Sequence, residues 1–315
     1  MRPPQMAYSD WLQIVLLALV WGISFFLTEI CLRDLGPLTL ATARVGLAAM
    51  VLLAFAAMRG EELPKAWTDW GPLAFMGLIN NALPFSLIMW GQISIDSGLA
   101  SILNATTPLF TFIFAHFLTK DERMTRRGAT GVGIGFLGAV VLIGPGALAG
   151  IGIQSWGQLA VMAAAMSYAM AGIFGRRLSR FSPIVSAGCM TACAAVMLLP
   201  AALLLESPWT AQPDLATWAA LATLAVISTA FAYILYFRIL ASAGATNLLL
   251  VTFLIPIAAV LLGALALDET VTLPALAGML LIFLGLAVID GRLFAALRRL
   301  RNGGDRQQVG PPNPS

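Results

Sequence analysis

Charge is what this chain lacks most. Only 10% of its 315 residues are Asp, Glu, Lys or Arg, against about 25% in a soluble domain. A water-soluble enzyme of this length is thereby excluded. The chain has one histidine and three cysteines. Zinc, haem and iron–sulfur centres gather several ligands from these residue types, so no metal and no cofactor is expected. Three cysteines also cannot staple a secreted disulfide scaffold. There is no Walker A loop, so ATP does not drive the protein directly. No Ser–His–Asp set, zinc-protease motif or pair of intramembrane aspartates points to hydrolysis within a membrane. No nucleic-acid partner is expected.

What is present is apolar length. Hydrophobic residues make up 59% of the chain and the mean hydropathy is +0.88. A helix crosses about 30 Å of hydrocarbon with roughly 20 residues. Ten stretches qualify, at 11–32, 38–58, 71–91, 98–118, 128–146, 155–175, 183–205, 217–238, 246–267 and 273–293. They are apolar on all faces, unlike the alternating segments of a membrane β-barrel. The run from Leu12 to Leu27 follows one charge, Arg2, and precedes no small-residue cleavage pattern. It reads as a retained first helix rather than a signal peptide. The expected fold is therefore an all-α integral membrane protein with ten transmembrane helices.

With the N-terminus in the cytoplasm, sixteen Lys and Arg residues fall in inner segments and only Arg33 in an outer one, with Arg44 inside a helix. That asymmetry satisfies the positive-inside rule and puts both termini in the cytoplasm. Residues 296–315 are basic, then rich in Gly, Pro and Asn, and read as a disordered cytoplasmic tail near anionic headgroups.

The sequence also repeats itself with an offset near 147. Between Asp121 and Gly144, nine of 24 positions recur identically between Asp268 and Gly291. They include Asp121-Glu122, Thr125, Gly131, Phe136-Leu137-Gly138, Val141 and Gly144. Trp70 and Trp218 match, as do Pro108 and Pro256. The units are 9–147 and 148–295. Each holds five helices, and five is odd, so the second unit is inverted relative to the first. Inverted repeats of this kind support alternating access, with substrate near the midplane where the repeats meet.

Trp21-Gly22 in helix one, Arg44 in helix two, a proline within helices four and nine, and Asp-Glu ahead of a glycine-patterned fifth or tenth helix resemble the drug/metabolite transporter superfamily. Within it, the chain is most similar to the ten-helix EamA-type branch and its bacterial amino-acid exporters. The resemblance covers residues ~10–292. It implies export of a small solute from the bacterial inner membrane. Met166-Ser167 replaces the Trp-Gly pair in the second half and Met190 stands near the Arg44 position, so those roles carry over only in the first half.

Few strongly polar side chains fall within the helices, and such residues default to functional hypotheses. Glu29 and Arg44 both fall toward the outer side, where they pair at the extracellular mouth or separately face headgroups and snorkel. Asn80-Asn81 on helix three and Ser228-Thr229 on helix eight occupy matching mid-helix positions. With Trp21 and Tyr168, and with Trp90 and Tyr233 toward its ends, they outline a cavity of amides, hydroxyls and aromatics. Pro108 and Pro256 should kink helices four and nine, as hinges or curved cavity walls, and free the carbonyls of Asn104 and Thr252. Gly128, Gly131, Gly135 and Gly138 suit tight packing within the bundle. Thr125 and Thr272 look like N-caps, with the Asp-Glu pairs at the positive ends of the helices they precede. Cys189 and Cys193 read as packing residues, Cys31 as modifiable near the outer surface.

Such a lining suits a monomeric exporter of a solute with zero net charge, an aromatic or aliphatic neutral amino acid. Phosphorylated sugars would need several deep cations, and a cationic drug a midplane carboxylate. The alternatives are an exporter of drugs or other metabolites, then an integral-membrane enzyme or a channel.

Overall fold

A computed structural model describes residues 8–118, 125–143, 153–178, 181–243, 248 and 250–290. Asp121, Glu122, Gly144, the junction of the repeats at 147–148 and the tail from 296 lie outside the described residues. The chain is all-helical in character. We number its helices α1 (Tyr8–Cys31), α2 (Pro37–Met58), α3 (Trp67–Gly91), α4 (Ser97–Leu118), α5 (Arg126–Ile143), α6 (Ile153–Phe174), α7 (Pro183–Leu205), α8 (Leu215–Ala225, Val226–Phe231 and Ala232–Ala243), α9 (Val251–Ala266) and α10 (Leu273–Asp290). Seven of them, α1–α4 and α6–α8, are long and apolar enough to cross a membrane, and α9 and α10 are shorter apolar helices. The expected start of helix nine at 246 falls partly outside the described residues.

The packing pairs equivalent helices. α2 lies along α7 and α5 along α10, while α1 packs on α8 and α9 and α6 packs on α3 and α4. Exchanging the two halves maps each of these contacts onto another. The α5–α10 seam fixes the inversion. A Cβ on Gly131 would meet the Gly285 carbonyl oxygen at 2.6 Å, and one on Gly138 the Gly278 oxygen at 2.7 Å. Gly278 is the repeat equivalent of Gly131, and Gly285 of Gly138. Each glycine thus meets the equivalent of the other, as antiparallel related helices require. Only hydrogen at Cα permits that approach, which is the small-residue logic of membrane helix packing.

Helix ends are capped both locally and across the repeats. Thr125 Oγ1 accepts from Gly128 N–H at 3.1 Å and Thr272 Oγ1 from Ala275 N–H at 3.3 Å, as N-caps should. Asp214 caps α8 by accepting from Thr217 N–H at 2.7 Å. Glu269 corrects an expectation: its carboxylate does not serve α10, which follows it. It accepts from Ser97 and Gly98 N–H at 2.9 and 3.0 Å, so it caps α4 of the other repeat. Glu206, at the end of α7, does the same for α2 through Leu38 and Thr39 N–H at 2.9 and 2.7 Å. Orphan amides of a helix N-terminus and its positive dipole end favour a carboxylate there. These contacts gather acidic residues at one end of the bundle. The other end carries Arg59, Lys65, Arg126 and Arg127. We call them the acidic and basic ends.

Two stability predictions follow from this packing. Gly138→Ala places a methyl against backbone and should cost about 1–3 kcal/mol. Gly133→Ala, where nothing lies within 4 Å, should not. Thermal unfolding of the purified protein in detergent separates them, and equal melting temperatures would contradict the seam. At the acidic end, Asp34 accepts from the Thr217 hydroxyl at 2.6 Å and from Asp214 N–H at 3.1 Å. These bonds, led by the Thr217 hydroxyl, hold its carboxyl below the usual carboxylate range. A carboxylate depressed in the folded state stabilises above its unfolded value and loses that contribution as pH falls through the folded value. Asp34→Asn should therefore lower the melting temperature at neutral pH and make its decline toward acid shallower. An unchanged pH profile would contradict this.

Candidate functional site

Helices α3 and α8 each switch to π-helical spacing in mid-span, at Leu78–Ala82 and Val226–Phe231. These are the turns that hold Asn80-Asn81 and Ser228-Thr229. A π-turn inserts a residue, rotates the face that follows and leaves backbone carbonyls short of donors; such turns recur at functional sites. Here hydroxyls fill in. Thr229 Oγ1 donates to Leu224 O at 2.8 Å, five residues back. Ser167 Oγ on α6 donates to Ile79 O at 2.6 Å, and Ser228 Oγ donates to Val20 O on α1 at 3.1 Å. The two bonds join equivalent helix pairs, α6 to α3 and α1 to α8.

A polar cluster grows from these turns. Asn80 and Asn81 each donate an Nδ2 hydrogen to Tyr233 Oη, at 3.0 and 2.9 Å. Asn81 is 0% exposed and its Oδ1 has no hydrogen-bond partner. From α2, Arg44 Nε donates to Thr229 Oγ1 at 2.9 Å. The Arg44 guanidinium carbon lies 4.2 Å from the Phe85 ring centroid, a cation–π contact. Phe85 meets Tyr168 edge-on at 6.5 Å, and Trp21 lies 5.9 Å from Tyr236. Side chains from α1, α2, α3, α6 and α8 thus meet midway along the spans, between the two repeats.

Of the residues expected in the cavity, Asn80 and Asn81 meet Tyr233 directly, Thr229 meets Arg44, and Ser228 bonds to the α1 backbone at Val20, while Tyr168 packs on Phe85 and Trp21 on Tyr236. Trp90 does not join them. It is 46% exposed, on the face it shares with exposed Leu83 seven residues earlier, and this is the apolar surface that faces lipid in a membrane. Trp90 has the depth of a cavity residue along α3, and helix phase turns it outward. The expected Glu29–Arg44 pair does not form. Arg44 turns inward to Thr229 and Phe85. Glu29 instead lines a cavity of about 270 Å³ at the acidic end with Arg33, Asp96, Asp268 and Glu269. In that cleft burial, and then the Glu269 carboxylate, push Asp96 above its ordinary value. The two side chains leave helices α1 and α2 in different directions, and the extra depth of Arg44 along α2 carries it to the π-turn of α8.

Pro108 breaks α4 into Ser97–Asn104 and Thr107–Leu118. The Asn104 carbonyl, deprived of its i+4 donor, accepts the Thr107 hydroxyl at 2.7 Å. Pro256 lies inside the continuous α9. Cys31, expected to be accessible, is buried, with its Sγ 3.7 Å from Thr217 O. Sequence reasoning passed over Phe85 and Tyr236. Phe85 was within reach, since it follows Asn81 by one helical turn on the same face. Among the described residues the ion pairs are Arg59–Glu61 at 3.4 Å and Lys65–Glu62 at 2.8 Å, both at the basic end. Arg44 has none.

Comparison with known proteins agrees with this architecture. An uncharacterized transporter of Archaeoglobus fulgidus is 26% identical over 286 residues, spanning 89% of this chain and 98% of its own. The inner membrane transporter YedA of Escherichia coli is 27% identical over 251 residues, 78% of this chain and 79% of its own. A Salmonella typhimurium protein named "probable amino-acid metabolite efflux pump" is 27% identical over 296 residues, 90% of this chain and 95% of its own. A crystal structure of a protein with 21% identity superposes with a TM-score of 0.66 over 89% of this chain and 97% of that one, which shows the shared fold. The sequence profile of the EamA-like transporter family matches twice, at residues 11–144 and 155–290. The chain is a membrane transporter of two inverted five-helix repeats, and it belongs to the EamA-like transporter family.

Proposed function

We propose that this transporter exports neutral amino acids, aromatic or aliphatic, across the bacterial inner membrane as a monomer working by alternating access. The observation that carries the reading is the pair of π-turns, one per repeat, that hold Asn80-Asn81 on Tyr233 and Thr229 on Arg44 at mid-span. A zwitterion needs acceptors for its ammonium and donors for its carboxylate. The cluster offers amides, hydroxyls, one guanidinium and aromatic rings for an apolar side chain. A phosphorylated sugar would want several cations here, and Arg44 is the one in this cluster. A permanently cationic drug would meet Arg44 with the same sign. The name of the Salmonella relative supports amino-acid metabolites as the substrate class. No carboxylate stands in this cluster to relay protons, since Glu29 has turned toward the acidic cleft. This favours facilitated or weakly proton-coupled export over steep proton-driven accumulation.

Asn81→Ala removes a donor to Tyr233 and should lower amino-acid transport in liposomes about tenfold, the equivalent of one buried hydrogen bond. Folding should survive. Asn80→Ala should act in the same direction. Parent-like transport by both, or liposomes that move phosphorylated sugars and no amino acid, would overturn the proposal.

The positive-inside asymmetry supports a cytoplasmic position for the basic end and both termini. In a variant lacking the native cysteines, a cysteine at exposed Gln212 should label with an impermeant thiol reagent from outside intact cells. One at exposed Arg126 should label only after permeabilisation. External labelling of both would contradict this topology.

A further inference from the structure

Arg44 is 6% exposed and stands in mid-bundle without a counter-ion among the described residues. A guanidinium carries five N–H donors. Here Nε alone is engaged, by Thr229 Oγ1 at 2.9 Å, while the Phe85 ring covers a flat face at 4.2 Å. Neither Nη takes part in a hydrogen bond with a described residue. A buried cation is normally paired, because its lost hydration must be replaced. Inside a membrane that need is greater, and an unpaired intramembrane charge marks a ligand path. The contacts that do exist set the geometry. Thr229 holds the Nε edge and Phe85 holds the plane, so the Nη edge is left as an oriented fork. A fork of two parallel N–H donors is the complement of a carboxylate. One helical turn from Phe85 on α3, Asn81 Oδ1 is a buried acceptor without a donor. A free acceptor in the same cluster suits the ammonium of the same solute.

We propose that Arg44 binds the carboxylate of the transported solute through its two Nη groups. This rests on the transport reading above and names the group the site recognises. Thr229 and Phe85 are then positioning residues, which aim the guanidinium. Lysine cannot replace it, because an ammonium is a point charge without a fork.

The test compares a neutral amino acid with its carboxamide in liposomes holding the parent, Arg44→Gln or Arg44→Lys. The parent should move the amino acid at least about tenfold faster than the carboxamide. Arg44→Gln should lose at least about thirtyfold in amino-acid transport, as truncation of one partner of a buried charge pair does. Its carboxamide transport should not fall, because the same change removes a like charge from the path of the carboxamide's ammonium. Arg44→Lys should fall between the two. Arg44→Gln should melt no lower than the parent, since it removes an uncompensated cation. Added amino acid should raise the melting temperature of the parent and leave that of Arg44→Gln unmoved. The proposal fails if the parent moves acid and carboxamide equally, a result that needs no variant. It also fails if Arg44→Gln moves the amino acid at the parent rate, and the amino-acid reading then stands. If the parent moves other carboxylates and no amino acid, with the same dependence on Arg44, the amino-acid reading falls and this one stands.

Discussion

In hydrocarbon a backbone carbonyl without a donor has no water to turn to. That constraint governs where this transporter departs from regular helix. Three departures are prominent, the π-turns of α3 and α8 and the proline break of α4, and a hydroxyl meets an exposed carbonyl at each. Ser167 covers Ile79, Thr229 covers Leu224, and Thr107 covers Asn104. Irregular backbone at membrane depth is tolerated where it is buried in protein or lines a cavity. The two π-turns carry the polar side chains of the candidate site. The covering hydroxyls thus allow the site to exist at that depth.

The same economy operates at the helix ends. Glu206 of the second repeat caps α2 of the first, and Glu269 caps α4. At the basic end the relation reverses, for Glu61 of the first repeat accepts from Ser182, which itself caps α7 of the second. α2 and α7 are equivalent helices, so the exchange is reciprocal and tied to opposite ends. The α5–α10 seam, by contrast, is closed by glycines against backbone and against the side chains of Leu142, Leu281 and Ile289.

Much of the architecture was legible in the sequence, because the bilayer imposes a length and the duplication an inversion. The limits of α2 and α7 differ from the expected ones by at most a residue. The paired polar residues of α3 and α8 were visible as pairs, but nothing local encodes a π-turn, so their geometry was not. Depth along a helix was readable and azimuth was not. Trp90 has the depth of a cavity residue and faces outward, while Arg44 starts at the depth of a mouth residue and reaches inward. The capping of α4 by Glu269 joins residues 171 and 172 positions apart, beyond any short-range signal. Thr125 and Thr272 could be read as caps because an N-cap is settled within four residues.

A structure of the transporter with a neutral amino acid bound, solved in a lipid nanodisc, tests the central claim most directly. The account predicts the solute between the π-turns of α3 and α8, its carboxylate within hydrogen-bond distance of the Arg44 Nη atoms and its side chain against Phe85, Tyr168 or Tyr236. Solute density in the acidic cleft of Glu29, Asp96 and Glu269, with the mid-span cluster unchanged from the structure described above, would contradict it.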